Sequence, residues 1–290
     1  MDVVTRDEKI DGSVWRGLRR TLGRLIAGPE AAVSPAVVSP AQDPFEPKRY
    51  RFAHNGVEIV FNCPNQLTYD RASSVMTKEP GTISWIESFE ENAIFWDIGA
   101  NVGTFSLYAA AMRGCDVYAF EPVAHNFFVL QQNIMDNNLD HSVKALSIAI
   151  DSVDKVADLF MRDAVFGSAL HVFGDNVDYT GKHYKESHRQ GCLGVSIDTL
   201  CNQFGMTVPT YVKIDVDGLE QEVISGGLSS FKNERCRSVL VELDLNDADE
   251  VRFIKTNLEA LGFHHDETVP GNAPRPHPEA IVYNMIFNRK

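Results

Sequence analysis

Acidic residues follow the apolar runs of this chain at several points, and the first of them precedes a pair of glycines. Asp97 ends the run at 93–96, with Gly99 and Gly103 close behind it, and Asp215 and Asp217 end a later run. Carboxylates accept hydrogen bonds from hydroxyl and ammonium groups, and they can serve as general bases. The pattern predicts a ligand site assembled at the ends of strands.

The stretch 93–103 predicts a buried strand and a sharp turn, and residues 104–112 predict the following helix. Glycine permits unusual φ values and a close approach of a ligand to the main chain. A dinucleotide site needs three glycines as G-x-G-x-x-G, whereas only Gly99 and Gly103 are present, which disfavours an NAD-dependent oxidoreductase. Asp97 would repel a phosphate and attract an ammonium group. We therefore predict S-adenosylmethionine as the cofactor; the alternative is an ordinary strand-turn-helix with structural glycines.

The next strands also end at acids. Residues 116–120 predict a second strand ending at Glu121 and Pro122, where a carboxylate can accept hydrogen bonds from both ribose hydroxyls. Residues 144–150 predict a third strand ending at Asp151.

The candidates for catalysis lie around the fourth predicted strand, 208–215. Lys213, Asp215 and Asp217 alternate and would share one face unless the strand ends at Asp215. Such charges are unfavourable there unless they pair or meet a ligand. With S-adenosylmethionine as the cofactor, the expected reaction is the transfer of a methyl group. An alcohol acceptor must lose a proton in this reaction, so a base would help, and the candidates are Asp215, Asp217 and Glu242. Lys78, Glu79 and His171 are further candidates that a lid or an insertion could bring in; the alternatives are a hydrogen-bonded structural role for His171 and a plain ion pair for Lys213.

Composition narrows the class of protein. The chain has 290 residues and a formal net charge of −13, which argues against a nucleic-acid binder. Its five cysteines are scattered, so neither a disulfide framework nor a zinc ribbon is indicated. No apolar run reaches membrane-spanning length and the N-terminus lacks signal-peptide order, so we predict a cytoplasmic protein.

Two regions are predicted. Residues 1–47 comprise a basic amphipathic helix at 13–26 and a linker rich in proline and alanine; the helix could dock on its own chain or on a second copy in a homo-oligomer, or lie on an anionic membrane. Residues 48–290 form the main domain, with an N-terminal cap at 48–92, which includes a hairpin and a helix capped by Thr82, and an insertion at 155–195. Alternating strands and helices predict a mainly parallel sheet covered on both faces.

The sequence resembles the FkbM-type S-adenosylmethionine-dependent methyltransferases over about residues 60–265. The resemblance rests on the order and spacing of these segments: KEPGTISW (78–85), DIGANVG (97–103), AFEP (119–122), Asn133, SIDTL (196–200), KIDVDGLE (213–220) and VEL (241–243). Asp217 stands where the family often has Glu.

The resemblance implies a Rossmann-like class I methyltransferase fold, with a seven-stranded mostly parallel sheet, helices on both faces and one antiparallel strand. It also implies O-methylation of a small-molecule or glycan acceptor. The cofactor residues that it implies are Asp97, Gly99, Ala100, Asn101, Gly103, Glu121, Pro122, Ile150, Asp151 and Asp215. Lys213, Asp215 and Asp217 would lie where cofactor and acceptor meet.

Two other functions remain open. Asp215, Asp217 and Glu242 could hold a divalent metal ion that assists O-methylation, although we favour a metal-free reaction. A membrane-associated binding module without activity is the other, and the intact acidic and glycine positions disfavour it.

Overall fold

The computed structural model of the protein describes residues 46–176, 183, 186–270, 272–277 and 280–289. The helix predicted at 13–26 lies outside the described residues, and its docking on a membrane, on its own chain or on a second copy stays a prediction. Among the described residues, no helix combines the length and the apolar character needed to cross a membrane.

The described chain begins with the predicted hairpin, β1 (Lys48–His54) and β2 (Val57–Cys63), which pair antiparallel. Three helices follow: α1 (Gln66–Ser73), α2 (Val75–Lys78) and α3 (Pro80–Glu87). The predicted cap at Thr82 is wrong. Glu79 occupies the cap position because Pro80 suits the first turn of a helix. Thr82 is buried, and its hydroxyl donates a 3.1 Å hydrogen bond to Glu79 Oε2.

Strands and helices then alternate. The first run comprises β3 (Ile94–Ile98), α4 (Thr104–Arg113), β4 (Asp116–Phe120), α5 (Ala124–Asp136) and β5 (Val143–Leu146). Four strands follow: β6 (Ala149–Ile150), β7 (Lys155–Met161), β8 (Val172–Phe173) and β9 (His188–Val195). The chain continues through α6 (Ile197–Asn202), β10 (Tyr211–Ile214), α7 (Glu220–Ser225), a 3₁₀ turn (Ser230–Lys232), β11 (Ser238–Asp244), α8 (Ala248–Ala260), β12 (Phe263–His265), β13 (Arg275–His277) and β14 (Ala280–Arg289).

Seven strands form the central sheet in the order β12-β14-β11-β10-β3-β4-β5, and β13 pairs with the start of β14. Within the run β11-β10-β3-β4-β5 all pairs are parallel, whereas β14 runs antiparallel to both β11 and β12. Parallel neighbours require crossover connections, which the helices provide. The predicted Rossmann-like sheet with one antiparallel strand on its main path is confirmed.

Residues of β3 alternate between two apolar cores, one on each face of the sheet. Phe95 belongs to the core that contains Leu107 of α4 and Leu130 of α5. Trp96 belongs to the core that contains Ile224 of α7 and Leu258 of α8. Helices therefore cover both faces, as the apolar strands predict.

The predicted third strand over 144–150 is two strands in the structure. β5 ends at Leu146 in the central sheet, and β6 belongs to a separate sheet of order β6-β9-β7-β8. The other described strands of this sheet, β7, β8 and β9, lie in the insertion predicted over 155–195, and the sequence pattern did not reveal that they form a separate sheet with β6.

Candidate active site

The turn after β3 leaves no room for a side chain at its first glycine. Gly99 has a φ of 83°, and a Cβ there would lie 1.8 Å from the carbonyl oxygen of Asp215. Gly103 has a φ of 85°, and a Cβ there would lie 2.4 Å from Leu130 Cδ1. The Gly99 amide donates a 3.0 Å hydrogen bond to the Phe120 carbonyl oxygen. Glycine is thus required for the ends of β3, β4 and β10 to meet.

Glu121 joins the turns that follow β3 and β4. Its Oε2 accepts a 2.8 Å hydrogen bond from the Asn101 amide, and its Oε1 accepts a 2.9 Å bond from the Val123 amide. The side chain is buried, and this burial raises the pKa of Glu121 to about 7 despite the two amides. A carboxylate has roughly four acceptor sites, more than the two amides and the Asn126 side chain occupy, so Glu121 can still accept a hydrogen bond from a ligand hydroxyl.

A cavity opens at these strand ends. Its polar wall includes Asn101, Glu121, Asp215 and Asp217, and its apolar wall includes Phe120, Ile148, Ile150, Leu159 and Phe173. Leu159 and Phe173 come from the second sheet. This sheet therefore completes the apolar side of the site.

A second cavity adjoins the first. It extends along Leu243 and Val282, at the ends of β11 and β14. Five residues line both cavities: Arg71, Lys78, Ala169, Asp217 and Glu242. The shared wall is where two ligands, one in each cavity, would face each other.

Of the two alternatives given for Lys213, Asp215 and Asp217, the structure shows the early end of the strand: β10 ends at Ile214, so the three charges do not share one strand face. Lys213 is buried, and its Nζ lies 2.6 Å from Asp215 Oδ2. Burial alone would lower the pKa of Lys213 and raise that of Asp215, but their attraction outweighs it, so the pKa of Lys213 is raised and that of Asp215 is lowered. Asp215 is therefore a fixed anion and a weak base.

Asp217 has the opposite character. It adopts a φ of 61°, which is rare for a residue with a side chain, and its Oδ2 accepts a 2.6 Å hydrogen bond from the Leu170 amide. In the part of the chain that the structure describes, its Oδ1 has no hydrogen-bond partner. Desolvation and then repulsion from Asp215 raise the pKa of Asp217 to about 6. A base with such a pKa is suited to accept a proton near neutral pH.

Among the described residues, the acids that lie close enough together to hold a metal ion are not the predicted three, because Glu79 takes the place of Asp217. Carboxylate oxygens of Glu79, Asp215 and Glu242 all lie within 4.8 Å of one another, and Asp217 is not in this group. Arg275 forms ion pairs with Glu242 and Glu79, and Lys213 pairs with Asp215, so each of the three acids already has a cation beside it. Desolvation, and then repulsion from Asp215, raises the pKa of Glu242 well above its ordinary value.

The loop before β8 is fixed against the glycine turn. The carbonyl oxygen of Ser168 accepts hydrogen bonds from the amide groups of Asn101 (2.9 Å) and Asn126 (3.0 Å). His171 Nδ1 accepts a 3.2 Å hydrogen bond from the backbone amide of Arg162, and His171 Nε2 lies 2.9 Å from the Ser168 hydroxyl. Burial lowers the pKa of His171 to about 4. With both ring nitrogens engaged, His171 stabilises the loop, which favours the structural alternative for this residue.

The structure brings most of the predicted residues to the first cavity. Those on its walls are Lys78, Gly99, Asn101, Glu121, Pro122, Ile150, Asp215, Asp217 and Glu242. Those behind the walls are Glu79, Asp97, Ala100, Gly103, Asp151 and Lys213.

Asp97 and Asp151 differ most from their predicted places. Asp97 lies within β3 rather than beyond its end, and its Oδ2 accepts a 2.5 Å hydrogen bond from the Ser106 hydroxyl. Asp151 Oδ2 pairs with Lys155 at 2.9 Å, and its Oδ1 accepts a hydrogen bond from the Ser152 amide. Asp151 is therefore occupied by neighbouring protein groups.

Sequence reasoning missed Arg71, Asn126 and Ser168, all of which line the first cavity. None belongs to a run of charges or to a motif at a predicted strand end. Arg71 lies on the short helix α1, and only the tertiary fold brings it to the site.

The comparisons with known proteins agree with this geometry. Residues 97–265 match the model of the family described as "Methyltransferase FkbM domain", which spans β3 to β12. The chain belongs to this FkbM methyltransferase family. Its cofactor is S-adenosylmethionine, as predicted.

Two curated relatives are methyltransferases by name. The chain is 24% identical to "Hexuronic acid methyltransferase AglP" of Haloferax volcanii, over 63% of this chain and 71% of the relative. It is 27% identical to "Methyltransferase sdnD" of Sordaria araneosa, over 54% of this chain and 68% of the relative. Among solved structures, the complex of M. jannaschii TYW2 with AdoMet is similar with a TM-score of 0.42 and 12% identity, covering 85% of this chain and 89% of that chain.

The buried polar groups at the FkbM site fit this cofactor. Asn101 Oδ1, on the cavity wall, is a buried acceptor without a hydrogen-bond partner among the described residues, and Asp97 Oδ1, behind the wall, is another. A buried acceptor without a hydrogen bond is unfavourable unless a donor reaches it. S-adenosylmethionine carries an ammonium group and two ribose hydroxyls as donors, and Asn101 and Glu121 on the cavity wall would hold them.

Proposed function

We propose that this FkbM-family protein is an O-methyltransferase that methylates a hydroxyl group of a saccharide, or of a natural-product scaffold. The single observation that carries the proposal is the position of Asp217. It lines both adjoining cavities, and the raised pKa of its carboxyl group suits a general base.

In this proposal the first cavity holds the cofactor and the second holds the acceptor. The bound cofactor supplies an electrophilic methyl group on a sulfonium. The residues shared by the two cavities hold the acceptor hydroxyl against this methyl group. Such positioning lowers the barrier by roughly several kcal/mol. Asp217 Oδ1 accepts the hydroxyl proton while the Leu170 amide holds Oδ2.

The other acids suit this role less well. Asp215 is held as an anion by Lys213, so its pKa lies below its ordinary range. Glu242 is already engaged in an ion pair with Arg275, and desolvation, then repulsion from Asp215, raises the pKa of its carboxyl group well above the ordinary value. We assign both residues to positioning and charge balance around the shared wall.

The saccharide acceptor is supported by a relative's name and by the cavity. The curated relative from Haloferax volcanii is named for hexuronic acid, a sugar acid. The second cavity carries hydrogen-bonding groups of Asp217, Asp244 and Arg275 beside apolar Leu243 and Val282. Such a mixture suits the hydroxyl groups and the apolar ring faces of a sugar.

The test combines methyl transfer with variants. Methyl glycosides are incubated with S-adenosylmethionine carrying a labelled methyl group, and the product is examined for a methyl ether that survives mild alkali. Asp217→Asn should lower the turnover rate at least about tenfold, roughly 1.4 kcal/mol in the barrier. Asp215→Asn should also lower turnover through the lost ion pair, whereas the exposed control Asp249→Asn should not. A full rate in the Asp217→Asn enzyme would contradict the proposal.

Metal assistance stays the alternative. The group formed by Glu79, Asp215 and Glu242 is the observation that favours it. The cations Lys213 and Arg275 beside these acids favour a metal-free reaction instead.

A further inference from the structure

Arg71 carries unused hydrogen-bonding capacity at the wall between the two cavities. Its Nε donates a 2.6 Å hydrogen bond to the Gly167 carbonyl oxygen, which fixes the direction of the side chain. Within the described ranges, neither terminal nitrogen of Arg71 has a hydrogen-bond or ion-pair partner. A guanidinium fixed at Nε still presents the paired donors that match a carboxylate.

Lys78 supplies a second cation to the same wall. It lines both cavities, as Arg71 does. Its Nζ lies 3.6 Å from Glu79 Oε1, and the side chain is 55% exposed, so this ion pair holds it only loosely. Lys78 is thus available to a ligand.

Five acids line the second cavity, and two of them, Glu220 and Glu242, are held by other protein groups. Glu242 pairs with Arg275, and Glu220 accepts hydrogen bonds from the Val216 and Gly218 amides at 3.0 Å. Desolvation also raises the pKa of both Glu220 and Glu242 well above the ordinary value. Glu220 and Glu242 therefore compete little for Arg71 and Lys78, and the acid of this cavity on which both cations act is Asp217, whose pKa is raised by desolvation, an effect that their attraction partly offsets.

We infer that Arg71 and Lys78 form a carboxylate-binding subsite of the second cavity, so that the acceptor is an acidic saccharide containing a uronic acid unit. The inference rests on the proposed function and narrows its substrate class. Arg71 and Lys78 face both cavities, and the second has no wall at Gly99, Asn101 or Glu121, so a carboxylate that the pair binds from the second cavity would belong to the acceptor. In this arrangement the two cations anchor the carboxylate, and a sugar hydroxyl lies at Asp217.

The experiment measures binding to the full-length protein saturated with S-adenosylhomocysteine. The probes are methyl β-D-glucuronoside and methyl β-D-glucoside, which differ only at C6. Calorimetry should give at least about tenfold tighter binding for the glucuronoside, and increased salt should weaken that preference. Equal binding of the two probes, or no binding of the glucuronoside, would overturn the inference.

Variants locate the preference. Lys78→Gln and Arg71→Gln should each reduce the preference for the glucuronoside about threefold or more, and the double variant should remove it. Arg51→Gln, an exposed arginine on β1 paired with Glu58, is the matched control and should keep the preference. Lys78 is exposed enough that its replacement leaves the fold intact, so the inference stays testable if Arg71→Gln disturbs the loop at Gly167.

Two other outcomes contradict this assignment. Weaker binding of S-adenosylhomocysteine to Lys78→Gln and Arg71→Gln, with glucuronoside binding unchanged, would show that Arg71 and Lys78 bind the cofactor instead. A methyl product labile to mild alkali would be an ester and would make the carboxylate the acceptor rather than the anchored group. Glucuronoside binding that depends on both cations but is not followed by methyl transfer would contradict the proposed reaction and keep the subsite.

Discussion

The backbone amide of Leu170 donates a 2.6 Å hydrogen bond to Oδ2 of Asp217, and both residues adopt positive φ, 63° and 61°. Strained conformations of this kind persist only where the surrounding structure holds them, and they are enriched at functional sites. The hydrogen bond fixes the direction of the Asp217 carboxylate at the wall between the two cavities. An asparagine at 217 can accept the same hydrogen bond, so the Asp217→Asn variant removes the charge and keeps the loop.

Gly99→Ala should abolish cofactor binding and strongly destabilise the protein. A Cβ at this position meets the backbone of Asp215, and the positive φ adds further strain. Gly205→Ala is the control, because Gly205 also has a positive φ, 69°, but a Cβ there meets nothing within 4 Å. The control should lose only about 1–2 kcal/mol. Urea unfolding and S-adenosylhomocysteine titration of both variants make the comparison; equal losses would show that the contact with Asp215 is unimportant.

Glu121→Gln should weaken S-adenosylhomocysteine binding by about 1–3 kcal/mol, the range for hydrogen bonds to a charged group. The Gln side chain also turns an NH₂ group toward one of the amides of Asn101 and Val123, which now donate to the carboxylate. Asp151→Asn should weaken cofactor binding less, because Asp151 is occupied by Ser152 and Lys155 behind the cavity wall. Calorimetry on the two variants compares the two losses of affinity. A larger loss in Asp151→Asn would indicate that Asp151 contacts the cofactor.

The fold was largely predictable from the sequence because each buried strand has an apolar run and each turn has its glycine or acid. The carboxylates after β4 and β10 line one cavity, since parallel strands end at the same edge of a sheet, and their role there stays a prediction. The second sheet was missed because β6 and β8 contain two residues each, too short for any periodicity. Arg71 and the Leu170 amide were missed because their roles depend on long-range packing rather than on local spacing.

Glu250 should make stability depend on pH. Its pKa is raised from 4.5 to about 7, first by desolvation and then by nearby acids such as Asp247. A carboxyl group with a raised pKa contributes stability that is complete below about pH 4.5 and is lost as the pH rises through about 7. Glu250→Gln, which resembles the protonated form, should therefore raise the melting temperature more at pH 8 than at pH 5.

The control for this variant lies on the same helix. Glu259→Gln replaces an exposed glutamate of α8 and should change the melting temperature little at either pH. A Glu250→Gln effect that is equal at both pH values would show that the ionisation of Glu250 does not affect folding.

Chelation should leave methyl transfer intact. Lys213 and Arg275 already balance the charges of Asp215 and Glu242, so no divalent ion is needed for that purpose. The rate should stay within about twofold after dialysis against EDTA. A loss of activity that Mg²⁺ restores would instead support the metal-assisted alternative at Glu79, Asp215 and Glu242.

The pH dependence of methyl transfer to a glycoside hydroxyl tests the central claim most directly. Because Asp217 acts in its deprotonated form and its pKa is raised to about 6, kcat/KM should rise as the pH increases through about 6 and then level off. In Asp217→Asn this rise should disappear and the plateau rate should fall at least about tenfold. An Asp217→Asn enzyme that keeps both the parent rate and the parent pH profile would contradict the assignment of Asp217 as the general base.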